Sequence, residues 1–166
     1  MGIDDDIDRL VSGLDYPMLI VTAASEQAGR VSRSGCLVGF ATQCSISPAR
    51  FLVCISKNNH THRVAREAAV LAIHLPAADQ RGLASLFGEH TGDEVDKFAE
   101  CEWTDGPGGV PLLTDCPRRM VAKVLDRFDL GDHTGFLVAP VDATVSSDAA
   151  VLLSSHVADF DAGHSA

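Results

Sequence analysis

Residues 34–56 read SGCLVGFATQCSISPARFLVCIS. Two apolar, β-branched runs flank a polar stretch, Thr42-Gln43-Cys44-Ser45, and the first run carries Gly35 and Gly39. The spacing predicts two strands, one from about Val31 to Ala41 and one from Phe51 to Ser56, separated by a turn before Pro48. Glycine inside a strand loses entropy and packs nothing, so something must approach this backbone closely. Two readings fit the residues. A flat aromatic ligand lies on the strand and takes hydrogen bonds from residues 41–45, or the segment is a β-bulge and an ordinary turn.

The rest of the chain repeats this short-strand pattern. Met18 to Ala23, Val70 to Leu75, Arg118 to Leu130 and Thr134 to Val145 read as further strands. Ile3, Ile7, Leu10 and Leu14 fall at helical spacing, and short helices are expected over 3–13, from Thr61 as N-cap, and over 80–87. The Gly-, Asp- and Glu-rich stretch 88–110 reads as a long excursion with little regular structure. Short turns between consecutive strands favour a mainly antiparallel β-barrel over a doubly wound parallel sheet. Residues 1–150 are expected to form this domain and 151–166 a tail, apolar at Val151-Leu152-Leu153 and loose over its end, ADFDAGHSA.

Composition narrows the function. A chain of 166 residues, 46% of them apolar, is long enough for one packed core. Its formal charge of −10 argues against non-specific binding to nucleic acid or anionic lipid. The five cysteines include no C-x-x-C pair, so they read as reduced thiols of a cytoplasmic protein. The opening MGIDDDIDRL lacks the apolar core of a signal peptide. No G-x-G-x-x-G follows a strand, no G-x-S-x-G is present, and no histidine cluster has metal-ligand spacing.

Two further places could carry chemistry. Lys57, Thr61, Arg63 and Arg66 cluster around a helix start, where free N–H groups, the helix dipole and cations suit a phosphate. The alternative there is a solvated surface helix. Gly131-Asp132-His133 sits between two strands, and its histidine can donate to a ligand or move a proton near neutral pH; the alternative is a plain turn. His74, in an apolar strand, reads as a core histidine, while His90, His156 and His164 fall in loops.

Gly35 to Pro48, the strand Phe51 to Ser56, and Gly131-Asp132-His133 occur in an order and at distances that resemble the flavin reductase-like family of FMN-binding split β-barrels. In that family the first motif reads roughly G-M-T-x-x-S-F-x-S-V-S-x-D-P-P. The resemblance spans about residues 14–145, most of the chain. It implies an antiparallel split barrel with a few short peripheral helices, working as a homodimer. It implies NAD(P)H-dependent reduction of FMN or FAD, with a partner monooxygenase as an acceptor of reduced flavin. The isoalloxazine is then expected on Leu37, Val38, Gly39, Phe40, Ala41, Thr42, Gln43, Cys44 and Ser45. Its phosphate is expected near Ser56, Lys57, Thr61 and Arg63, and the nicotinamide beside His133. This chain departs from the motif: Leu37, Val38 and Gly39 replace polar residues, Ser47 stands for the Asp, and Ala49 for the second Pro. With fewer side-chain donors to the ring, a deazaflavin is an alternative cofactor. Two other functions remain open, a flavin carrier or store without turnover and a cofactor-less barrel acting as an interaction subunit.

Overall fold

A computed structural model describes residues 2–163, so Met1 and the last three residues of the tail, His164 among them, lie outside the described residues. Seven strands form one sheet in the order β2-β1-β5-β8-β9-β4-β3, every neighbouring pair antiparallel. They are β1 Leu19–Gln27, β2 Arg30–Val38, β3 Ala41–Ser45, β4 Arg50–Ser56, β5 Val70–Leu75, β8 Arg118–Asp129 and β9 His133–Val145. The sheet curls around a core of Val21, Ala23, Cys36, Val38, Val53, Ile55, Leu71, Ile73, Phe136 and Val138. Its two edges, β2 and β3, are consecutive in the chain. Gly39 and Phe40 therefore carry the backbone across the split in the barrel. The expected split barrel is the observed architecture.

The first strand is buried along both faces from Leu19 to Ala24, which is why its sequence is a continuous apolar run rather than an alternating one. Its inner face meets the barrel core. Its outer face is covered by a second cluster in which Ile20 meets Phe87, Leu113 and Cys116. Phe87 comes from α3 (Arg81–Gly88), and Leu113 from a small hairpin, β6 (Trp103–Asp105) and β7 (Pro111–Leu113). The remaining helices are α1 (Ile3–Val11) and α2 (His60–Ala65).

Several expectations change at this point. The strand predicted through Ala41 stops at Val38, and Thr42-Gln43-Cys44-Ser45 is a strand rather than a knot, with a register shift between Gln43 and Ser45. Thr61 is not the cap of α2. Asn59 caps it, its side chain accepting from the Thr61 N–H at 3.0 Å, and the Thr61 hydroxyl is buried against Ser34 at 2.8 Å. Gly35 makes room for protein, since a Cβ there would lie 2.7 Å from the Phe87 ring.

The excursion 88–110 is also more ordered than its composition suggests. Lys97 folds inward and donates to the carbonyls of Gly35 at 3.0 Å and Phe87 at 3.2 Å, and burial lowers its pKa. The 151–153 run is not free surface, because Leu152 is fully buried and Val151 and Leu153 bridge to Ala77 and Pro17. Beyond it, Arg81 pairs with Asp159 through two 3.1 Å bonds and stacks on Phe160, holding the expected loose end against α3.

Candidate functional site

The split in the barrel opens into a cavity of about 350 Å³. One wall is the β2 end and crossing, Cys36 to Phe40, with Tyr16 and Met18. Another is Cys54, Ile55 and Ser56 of β4, with Asn59 and His133 at the polar end. The tail closes the remaining side with Val157, Phe160 and Ala162. Local pairing explains how distant residues meet. Ser56 stands opposite His133 in the β4–β9 register, and the Phe40 carbonyl accepts from the Cys54 N–H at 2.8 Å, extending the β3–β4 pairing. His133 consequently lies 5.3 Å from the Phe40 ring, centre to centre.

The imidazole is held from behind. Gly131 adopts φ +118°, a conformation glycine takes readily, and this turn sets Asp132 Oδ1 2.6 Å from His133 Nδ1. That contact holds the Asp132 carboxyl below the usual carboxylate range. With Nδ1–H donated to Asp132, the neutral ring presents Nε2 as an acceptor. The expected donation to a carboxamide oxygen then requires a protonated ring, whereas the neutral ring accepts from a carboxamide –NH₂.

The two thiols in the cavity wall are not nucleophiles. Burial pushes Cys36 up to about 11 despite its hydrogen bond with Thr61, and burial also raises Cys54. Both therefore stay protonated near neutral pH, which leaves the cavity suited to binding and orienting a ligand rather than to covalent chemistry.

The structure divides the expected site residues into four groups. Leu37, Val38, Gly39, Phe40, Ser56 and His133 share the cavity. Ala41 packs towards the core, while Thr42, Gln43 and Cys44 lie exposed on the edge strand β3, where Gln43 bonds back to the Ser45 carbonyl. Lys57 and Arg63 line a different cleft behind α2, where Lys57 pairs with Asp129 at 2.6 Å and Arg63 with Asp93 at 2.7 Å. Thr61, buried against Ser34, lines neither cavity. Sequence reasoning missed Tyr16, Asn59 and Phe160. The Asn-Asn pair before the helix was a legible capping signal for Asn59. Tyr16 and Phe160 reach the cavity only through tertiary packing.

The family described as flavin reductase like domain matches residues 11–159. A ferric-chelate reductase (NAD(P)H) of Archaeoglobus fulgidus is 33% identical over 141 residues, covering 84% of this chain and 81% of that protein. The reductase subunit HsaB of a flavin-dependent monooxygenase from Rhodococcus jostii is 29% identical, over 60% of this chain and 51% of its own. Among solved structures, the NADH:FAD oxidoreductase SgcE6 of Streptomyces globisporus, in complex with NAD and FAD fragments, superimposes with a TM-score of 0.78 at 23% identity. It covers 98% of this chain and 90% of that one, which establishes a shared fold.

Proposed function

Because the chain belongs to the flavin reductase-like family, we propose that it reduces FMN or FAD with NAD(P)H, in the cavity between Phe40 and His133. The observation that carries this reading is the shape and chemistry of that cavity. Its volume of about 350 Å³ is within the range of small-molecule sites. Its wall is apolar along Tyr16, Met18, Leu37, Val38 and Phe40 and polar at Ser56, Asn59 and His133. Such a wall fits a flat ring with a polar tail. Bound flavin supplies the hydride acceptor, and the reduced nicotinamide supplies the donor.

The chain's own groups then bind and orient. Residues 37–40 lie at a sheet edge, where backbone groups not used by β1 are available to the ring. Ser56 and Asn59 stand where the phosphate end would lie. His133, fixed by Asp132, positions the nicotinamide over the ring. All five cysteines are free thiols, which suits a reducing compartment such as the cytoplasm. No helix among the described residues is long and apolar enough to cross a membrane.

Fluorescence titration with FMN and FAD, followed by NADH and NADPH oxidation, tests the proposal. Flavin binding with turnover is expected. Quenching without oxidation of either nicotinamide would make the chain a carrier, and no binding of either flavin would reject the cavity assignment.

Gly39 gives a sharper test. A Cβ there would lie 2.8 Å from the Tyr16 ring and 3.5 Å from Met18 Sδ, so the missing side chain makes room for Tyr16, not directly for a ligand. Gly39→Val should drive Tyr16 into the cavity and raise the flavin Kd about tenfold, within the roughly 1–3 kcal/mol of an overpacked site. A folded variant that binds flavin like the parent would place the ring elsewhere.

A homodimer belongs to the same reading. Apolar side chains are exposed, with Ile46 at 86% and Phe40 at 58%, beside Leu10, Phe128 and Leu130. Sedimentation at micromolar concentration is expected to show the dimer; a flavin-bound monomer would exclude it. Reduced flavin passing to an oxygenase subunit, as the name of the Rhodococcus relative indicates for that protein, is the proposed onward step.

A further inference from the structure

The tail that closes the cavity is held in two different ways. Val157 is buried with Leu152 and Ala84 against Met18 and Leu37, two residues of the cavity wall, and Phe160 packs at the edge of the same cluster. This apolar contact anchors the start of the tail. The other ties are polar and lie at the surface. Arg81 gives Asp159 two bonds of 3.1 Å, donates to the His156 carbonyl, and sets its guanidinium over the Phe160 ring at 4.9 Å. The Asp161 N–H donates to the Glu89 carboxylate at 3.1 Å.

These ties come from one ridge. Arg81, Ser85 and Glu89 are spaced four residues apart along α3 and its cap, so they share a face. Ser85 donates to the Glu89 carboxylate and so fixes the group that holds Asp161. Arg81 and Asp159 leave 46% and 72% of their side chains exposed, and an exposed ion pair holds weakly. The tail is thus anchored firmly at Val157 and lightly over 159–161.

The lightly held part reaches the cavity itself, where Phe160 and Ala162 form its third side. Four aromatic rings line this cavity. Tyr16, Phe40 and His133 come from the barrel and the segment leading into it. Phe160 is the one supplied by the tail, and Arg81 is the residue that holds it there.

We propose that the tail is a latch on bound flavin: Phe160 packs against the ring, and Arg81, acting through Phe160 and Asp159, is a positioning residue that sets how long the flavin stays. This rests on the flavin reductase reading and adds to it a control over flavin exchange. A closed latch retains flavin through successive turnovers, and an open one lets reduced flavin leave for its acceptor.

Stopped-flow release of FMN and of riboflavin tests the latch without turnover. Phe160→Ala should speed FMN release about tenfold, the order of a lost aromatic ring contact. Arg81→Ala should speed it about fivefold, within the range of an exposed ion pair and a cation–π contact. Arg81 is exposed, so this variant keeps the fold and carries the test if Phe160→Ala does not fold. The double variant should match Phe160→Ala within about twofold, because Arg81 acts through Phe160; independent structural losses would multiply instead. Riboflavin has no phosphate, so the salt dependence of its release reports the latch. Added salt should speed that release from the parent and leave Arg81→Ala unaffected. Parent-like release from both single variants overturns the latch, as does a multiplied loss in the double variant or riboflavin release from the parent that ignores salt. A raised KM for NADH or NADPH with unchanged flavin release would place the tail on the nicotinamide and overturn it too. A parent that binds neither FMN nor FAD fails the reductase reading and takes the latch with it.

Discussion

His74→Leu is expected to lower the stability of the folded chain by about 3 kcal/mol near neutral pH, which for a chain of this size shifts Tm by roughly 10 °C. His74 is fully buried in β5, between the barrel and the β6–β7 hairpin. Its Nδ1 lies 3.0 Å from the Ile20 carbonyl, and its Nε2 accepts from the Leu113 N–H at 3.0 Å. The neutral tautomer with hydrogen on Nδ1 satisfies both contacts at once. Leucine fills similar volume but leaves the Leu113 N–H buried with no acceptor, and Leu113 is itself fully buried.

The same residue predicts an acid limit. Burial lowers the His74 pKa from 6.5 to about 4, against a smaller opposing effect of the Ile20 hydrogen bond. The unfolded chain therefore binds a proton between these values that the folded chain refuses. Stability from this group is complete above about pH 6.5 and drains away as the pH falls towards 4, by about 3 kcal/mol in all. Urea unfolding between pH 4 and 7 should show that slope in the parent and a flatter profile in His74→Leu. Equal slopes in both proteins would mean that other groups set the acid limit.

His133→Ala is expected to slow flavin reduction by NAD(P)H about tenfold or more while leaving the flavin Kd nearly unchanged. A hydrogen bond to the carboxamide is worth about 0.5–1.5 kcal/mol, roughly a factor of ten in binding at most. A larger loss must come from misplacing the hydride donor. Stopped-flow reduction and flavin titration on one preparation separate the two quantities. Normal reduction with lost flavin binding would put the imidazole in the flavin site, through its tilted ring contact with Phe40. If neither changes, His133 is a turn residue held by Asp132 and nothing more.

How much of this was legible differs from residue to residue. His74 was readable as a core histidine, because an apolar, β-branched run leaves a buried side chain little else to do. Gly131-Asp132-His133 was readable as a turn, because its residue types supply turn chemistry. What His133 faces was not readable, since Phe40 lies 93 positions away and meets it only through the β4–β9 register. The glycines of the opening segment were correctly singled out as close approaches. Their partners, Phe87 and Tyr16, belong to other elements, and nothing local distinguishes a side chain from a ligand as the thing approaching.

A mainly antiparallel barrel was legible in the sequence alone, because alternating and continuous apolar runs, turn chemistry and short connections are local properties, and its split form was implied by the resemblance to the flavin reductase-like family. Which cations share a pocket was decided only by the tertiary structure. Lys57 and Ser56 are adjacent in the chain, yet successive side chains diverge at the end of a strand, so one lines the cavity and the other the cleft behind α2. Arg127 and Arg66, 61 positions apart, come to line the same cleft. Burial, register and the meeting of distant elements are sums over the whole chain. No stretch of residues 34–56, read by itself, contains them.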